Sequence, residues 1–287
     1  MAARERDPLS GRLTTGHQWD GIRELTTPIP GWWVSLALIC MGIAFVYVLL
    51  FPSFPTTWDF QRGLLGWTSQ AALEQERQAA RARQEGWRRR MATMPLEAIA
   101  ADPELHRVAL LGGRAAFGQH CAACHGPGAG GQIGQFPALV DDDWIWGGSL
   151  EEIHLTIRHG IRNADPDSRQ SMMPSFEGVL SRAELDAVVA HVRSLSDPAA
   201  PREGTPGAEA YAANCAACHG ANGEGGRGQG APRLNDQIWL YGDSEAAIRA
   251  QILNPRMGMM PAWQGRLDAE TIRMLTVYIH SLGGGEP

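Results

Sequence analysis

The longest apolar run lies near the start of the chain, where Gly31 to Phe51 reads GWWVSLALICMGIAFVYVLLF with neither a charge nor a polar stripe. As a helix this run would extend about 31 Å, close to the roughly 30 Å hydrocarbon thickness of a bilayer. Trp32 and Trp33 open it, Tyr47 lies near its end with Phe54 and Trp58 beyond, and Pro30 and Pro52 punctuate it. That placement of aromatic residues fits a membrane-interface belt. The apolar run starts too far into the chain for a signal peptide, no small-residue cleavage site follows, and a soluble core helix would carry a polar face. A single retained membrane span is therefore expected, with Cys40 inside it as a small apolar packing residue.

Beyond the span the pattern changes. Residues 69–94 are rich in Ala, Glu, Gln and Arg with few apolar positions, which predicts an exposed helical arm. Its Arg88-Arg89-Arg90 run is expected to be a solvated face, a lipid-headgroup or subunit contact being the sharper alternative. A second short helix is expected over 95–101.

The rest is a tandem duplication. In the first copy Gly113 and Phe117 precede Cys121-Ala-Ala-Cys124-His125, followed by Pro137, Asp143-Trp144, Ile153, Met173-Pro174 and a last helix ending His191-Val-Arg-Ser-Leu195. In the second, Gly207 and Tyr211 precede Cys215-Ala-Ala-Cys218-His219, followed by Pro232, Ile238-Trp239, Ile248, Met260-Pro261 and Tyr278-Ile-His-Ser-Leu282. The offset between copies is 94 at the cysteines, 95 at Ile153/Ile248 and 87 at the Met-Pro pairs, so the first copy holds an extra loop around 160–171. Leu185, Val188, Val189 and Val192 recur at helical spacing behind Ser181-x-x-Glu184, a capping box, so each copy is expected to close with an amphipathic helix. The Asp, Pro, Ala and Gly of 197–207 mark a linker. The expected organisation is a segment 1–30, a membrane helix 31–52, a linker with its arm 53–108, and two domains, 109–197 and 206–284.

Composition narrows the function. The chain has 287 residues and a net charge of −6, and the acidic excess lies in 113–287. A nucleic-acid binder with a basic surface is disfavoured. No lysine is present, which excludes Schiff-base chemistry at a lysine.

Cys-x-x-Cys-His is the signature of covalent haem c, with two thiols spaced to meet the vinyl groups on one porphyrin edge and the next imidazole free to bind iron. A zinc ribbon would bring the two CxxC pairs much closer in sequence, and no strand pattern of a thioredoxin unit precedes either one. Two haems c are expected, on Cys121, Cys124 and His125 and on Cys215, Cys218 and His219. Thioether sulfur suits a six-coordinate one-electron iron. Met173 and Met260, each before a proline, are the expected sixth ligands, with Met172, Met257 and Met259 as rivals, each methionine being taken to serve the haem of its own copy. His106, His120, His154, His159, His191 and His280 are not expected to be ligands. Pro137 and Pro232, 12 and 13 residues after their histidines, stand where class I c-type cytochromes place a carbonyl against the histidine ring, and Trp144, Trp146, Trp239 and Tyr241 could shield the porphyrins. The fold class is all-α: one N-terminal transmembrane helix followed by two tandem class I cytochrome c domains.

Together these residues resemble the membrane-anchored dihaem subunit III of cbb3-type cytochrome c oxidases, the FixP/CcoP family. The likeness covers most of the chain. Trp19-Asp-Gly-Ile-Arg-Glu-Leu25 and Pro28-Ile-Pro-Gly-Trp-Trp33 look like the family's entry motif, followed by Phe51-Pro52, Gly66-Trp67, Asp142-Asp-Trp-Ile-Trp-Gly-Gly148 and Ile238-Trp-Leu-Tyr-Gly242. His191 stands where an aromatic is expected, and Gln237-Ile238 interrupts an acidic-Trp pairing. The resemblance implies a non-catalytic electron-transfer subunit. It would take electrons from a donor cytochrome c and pass them through both haems towards a monohaem subunit and a proton-pumping, oxygen-reducing catalytic subunit. It also implies a bacterial inner-membrane location, with 1–30 cytoplasmic and the haem domains periplasmic, where haem c is attached. The alternatives are an electron-accepting subunit of a periplasmic dehydrogenase and a haem-based gas sensor.

Overall fold

The computed structural model describes residues 5–197, 199 and 203–286, so part of the 197–207 linker lies outside the described residues. The chain forms two compact units, 1–83 and 84–287.

The first unit opens with an antiparallel hairpin of β1 (Thr14–Trp19) and β2 (Ile22–Leu25), in which Thr14 pairs with Leu25 and Trp19 with Ile22. Asp20 and Gly21 turn it, both at positive φ (46° and 86°), the conformation that Asp-Gly adopts in two-residue hairpins. Nothing in the all-helical expectation included this strand pair. Helix α1 (Gly31–Leu50) starts after Pro30 and buries no residue. Its apolar side chains, from Trp32 to Leu49, face outward on every side, as lipid contact requires. Helix ends leave carbonyls unpaired, and here the following chain folds back to meet them. Leu64 N–H donates to Leu49 O (2.9 Å) and Leu65 N–H to Leu50 O (3.1 Å). Gly63 makes this possible, because a Cβ there would lie 2.4 Å from Leu50 O.

Helix α2 (Ser69–Thr93) matches the expected arm in its span. Its C-terminal end, within the second unit, does not match the expected exposure. Met91 is fully buried, and with Trp87 it packs against Leu96, Ile99, Leu105, Ala109, Leu150, Met274 and Val277. The arginine run is also not simply solvated: Arg88 pairs with Asp268 (3.5 Å) and Glu270 (3.7 Å), and Arg90 with Asp102 and with Glu104 (2.7 Å). Arg89 alone points to solvent, beside Glu85. Two apolar residues at a four-residue spacing, Trp87 and Met91, suffice to dock a helix that is polar elsewhere.

Helix α3 (Leu96–Ala101) leads into α4 (Pro103–His120), which Asp102 caps by accepting from Glu104 N–H and Leu105 N–H. The one-turn α5 (Ala122–His125) follows, then α6 (Leu150–His159), and α7 (Arg182–Ser194) behind the expected Ser181/Glu184 capping box. The second copy supplies α8 (Pro206–Asn214), the one-turn α9 (Ala216–His219), α10 (Glu245–Leu253) and α11 (Ala269–His280).

The closing helices of the two tandem copies pack across the repeat. Helix α11 crosses α4 and lies on α6, whereas α7 packs on α8 and α10. One core thus contains Phe117, Cys121, Ile153, Ile157, Leu275 and Ile279. The other contains Val188, Val189, Tyr211, Cys215, Ile248 and Ile252. The closing helices are thus exchanged between the two repeats. The contact surfaces show why the sequence allows either arrangement. Gly113 opens α4 to Met274 O and Tyr278, and Gly207 opens α8 to Ala187 O and His191, at matched positions. Phe117 then meets Tyr278 (5.7 Å between centroids) and Tyr211 meets His191 (5.2 Å).

Candidate haem-binding sites

Each Cys-Ala-Ala-Cys-His string is a single helical turn held by its own backbone. Cys121 N–H donates to Phe117 O (2.9 Å), Cys124 N–H and His125 N–H both reach Cys121 O (3.1 and 2.9 Å), and Gly126 at φ 78° ends the turn. The second string repeats this: Cys215 N–H to Tyr211 O (2.8 Å), Cys218 and His219 N–H to Cys215 O (3.1 and 3.0 Å), and Gly220 at φ 80°. One turn brings both sulfurs and the imidazole to one side. None of the four thiols is paired in a disulfide. Burial, then the neighbouring thiol, pushes Cys121 and Cys215 up to about 11.

His125 Nδ1 lies 3.0 Å from Pro137 O, and His219 Nδ1 lies 2.9 Å from Pro232 O. A carbonyl only accepts, so Nδ1 carries the proton and Nε2 keeps its lone pair for a metal. Burial holds both imidazoles below their ordinary pKa, against a smaller upward effect of the carbonyl. The neutral, ligating form is favoured.

The loops that deliver these carbonyls turn on glycines missing from the sequence reading. Gly131 and Gly225 each stand six residues after a histidine at positive φ (72° and 82°). A Cβ on Gly131 would lie 2.5 Å from Ala138 N, and one on Gly225 would lie 3.0 Å from Ala231 O. Their N–H groups donate to the carbonyls of His125 (2.9 Å) and His219 (2.8 Å). Their matched spacing was the available signal.

Met173 and Met260 are half-buried, whereas Met172 and Met259 are 80% and 67% exposed and Met257 is exposed as well. The two half-buried methionines have different surroundings. Met173 packs against the core that contains Tyr211 and Ile248, as do Cys215 and Trp239. Met260 pairs in both directions with Ile161 (3.0 and 2.9 Å), just past α6, and its carbonyl accepts from Asn163 Nδ2 (2.7 Å). The extra loop of the first copy therefore cradles the Met-Pro segment of the second. Trp144 packs in the first core and Trp239 in the second; Trp146 lies against Gly230 and under Arg169, and Tyr241 under Arg256. Among the other histidines, His159 is buried against Asp165 (3.1 Å), His191 sits on Tyr211, and His280 Nε2 is 2.8 Å from Glu286 O. Four thiols in two turns, each followed by a neutral imidazole with a free Nε2, form a donor set that fits two haems c.

Comparison with known proteins agrees with this chemistry. A family model described as the N-terminal domain of cytochrome oxidase-cbb3, FixP, matches residues 11–57. A second, cytochrome c oxidase, cbb3-type, subunit III, matches 109–192 and again 202–279. The cbb3-type cytochrome c oxidase subunit FixP of Azorhizobium caulinodans is 45% identical over 284 residues, covering 98% of this chain and 96% of that one. The FixP of Sinorhizobium medicae is 45% identical over 282 residues (98% and 97%). The cbb3-type subunit CcoP of Azospirillum brasilense is 42% identical over 299 residues, covering both chains in full.

Proposed function

Since the chain belongs to the subunit III family of cbb3-type cytochrome c oxidases and is an electron-transfer subunit of that oxidase, we propose that it conducts through two covalently bound haems c, each held by a histidine and a methionine. The observation that carries this reading is the repeated turn in which His125 and His219 present Nε2 while Pro137 and Pro232 hold Nδ1. Haem iron, when bound, supplies a one-electron couple, and His/Met ligation raises its potential into the cytochrome c range.

The chain's own groups do the rest. Cys121, Cys124, Cys215 and Cys218 tether the porphyrins, the proline carbonyls orient the imidazoles, and Met173 and Met260 supply soft sulfur. Phe117, Trp144, Tyr211 and Trp239 keep water from the two cores. The chain accepts electrons from a donor cytochrome c and delivers them to the monohaem and catalytic subunits. Helix α1 crosses the bacterial inner membrane, with the N-terminal hairpin on the cytoplasmic side and the cysteine turns in the periplasm. The acidic haem-bearing half suits a basic donor.

The test is a redox difference spectrum of membranes that carry the chain, with haem counted per polypeptide. Two haems c, both with the weak near-infrared band of sulfur-bound ferric haem and neither binding carbon monoxide when reduced, are expected. A single haem, or carbon monoxide binding to a native site, would replace the conductor with an open-site protein such as a gas sensor.

A further inference from the structure

We propose that residues 53–67 make a second, shallower membrane contact: a hairpin lying in the headgroup layer at the C-terminal end of α1, with Phe54, Trp58, Phe60, Leu64 and Leu65 against lipid. This rests on the reading that α1 spans the membrane, and adds where the chain goes as it leaves the bilayer.

Backbone pairing sets the depth. With 20 residues α1 is about 30 Å long, so its last turn lies where the hydrocarbon ends. The chain does not run out into solvent from there. Phe51 stacks on Tyr47, one turn earlier (4.8 Å between centroids), and Trp67 meets Phe51 edge-on (5.9 Å). Leu64 and Leu65, whose N–H groups pair with the carbonyls of Leu49 and Leu50, are thereby held beside that last turn. Both are exposed, Leu64 at 81%, so two leucines stand uncovered at the level where the helix itself meets lipid.

The hairpin satisfies its own polar groups. Gln61 N–H donates to Phe54 O (2.9 Å), Ser53 N–H to Gln61 O (3.3 Å) and Thr56 N–H to Asp59 O (2.6 Å). Ser53 Oγ donates to Gln61 Oε1 (2.8 Å), Asp59 N–H to Thr56 Oγ1 (2.9 Å), and Arg62 pairs with Asp59 (3.1 Å). Asp59 and Arg62 are the charged residues of 53–67, and they cancel. What faces outward is apolar: Trp58 is 95% exposed, and Phe54 and Phe60 are exposed with it. Paired backbone, no net charge and aromatic rings at the tip suit the layer between headgroups and acyl chains. A protein interface would add hydrogen bonds around an apolar centre, and these donors and acceptors are already engaged. Continuity with the lipid-facing surface of α1 makes lipid the occupant. Helix α2 starts at Ser69, two residues past Trp67, so the arm departs from the membrane surface at a fixed point.

Photo-crosslinking of the full-length chain, in intact membranes that carry the oxidase, tests this. A benzophenone is introduced by Phe54→benzoylphenylalanine, Trp58→benzoylphenylalanine or Leu64→benzoylphenylalanine, at exposed positions where the larger ring does not strain the fold. The same change at Leu36, Leu38 and Ile39, exposed on different sides of α1, reports the span. After irradiation the mass of the intact chain is expected to rise by one phospholipid at the hairpin positions, as it does on α1.

Phospholipid adducts on α1 with none on the hairpin would overturn the shallow contact and leave the span standing. Adducts that join the hairpin to another polypeptide would overturn lipid as its occupant. Phospholipid at none of the α1 positions would overturn the span, and the proposal with it.

Discussion

Gly113 and Tyr278 touch from opposite ends of the haem-bearing half: a methyl on Gly113 would sit 2.5 Å from Tyr278 Cβ and 2.4 Å from Met274 O. No rotamer change relieves a clash with a backbone carbonyl. Gly113→Ala is therefore expected to destabilise the protein by about 1–3 kcal/mol, as overpacking does. Gly118→Ala, on the same helix with open space around it, should instead gain up to about 1 kcal/mol from helix propensity. Thermal unfolding of both variants decides the matter, and equal behaviour would contradict the crossing of α4 and α11.

Gly207→Ala should mirror Gly113→Ala, because its Cβ would lie 2.4 Å from Ala187 O. A drop in melting temperature is expected in that variant, with a loss of haem from the Cys215–His219 turn if that turn holds one as proposed above. A neutral result would argue against α7 as the partner of α8.

Gly131→Ala tests the carbonyl that holds His125. The substitution strains a residue at φ 72° and drives a methyl to 2.5 Å from Ala138 N, so the Pro137 carbonyl must shift. A donated Nδ1–H makes the imidazole a more basic ligand. With a haem on each cysteine turn, as proposed above, its loosening should raise the potential of the haem at His125 and leave that at His219 unchanged. A redox titration that resolves two haems measures this.

Met91→Ala separates a docked arm from a solvated one. Met91 is fully buried in the core with Ile99 and Leu105, and truncating it should cost about 2–5 kcal/mol. Limited proteolysis near Thr93 should accelerate in the variant. A solvated helix would show neither effect.

Asp143 gives the protein a pH dependence of its own. Burial first, then Asp236 and Asp141, pushes its carboxyl up to about 6 from an ordinary 3.8. The folded state thus holds a proton that the unfolded chain has released between those values, so this group lowers stability as pH rises from about 4 to about 6, and the penalty then persists. Asp143→Asn should raise the melting temperature at pH 7 and change it little at pH 4. An equal effect at both pH values would remove the carboxyl as the cause.

The long apolar helix and the one-turn cysteine strings were legible because each rests on local chemistry: Gly31–Leu50 has no polar face, and one turn fixes Cys-x-x-Cys-His whatever surrounds it. The Pro137 and Pro232 carbonyls depend on loops whose short length leaves few paths. The exchange was not legible. Gly113 with Phe117 and Gly207 with Tyr211 offer nearly the same surface, and His191 and Tyr278 answer either one. A repeated pattern states which surfaces pair but not which copy supplies the partner. The hairpin at Asp20-Gly21 and the docking of Trp87 and Met91 were written in only two residues each, too little to stand out beside a polar background.

The crossing of α4 by α11 also bears on how the chain is made. Helix α4 emerges from the ribosome well before residues 269–280 exist, and α7 waits likewise for α8. A nascent chain stopped after its first cysteine turn has no closing helix to fold against. Translation cut short at the repeat boundary would leave no smaller working cytochrome, only a polypeptide with two unpaired apolar faces for quality control to clear.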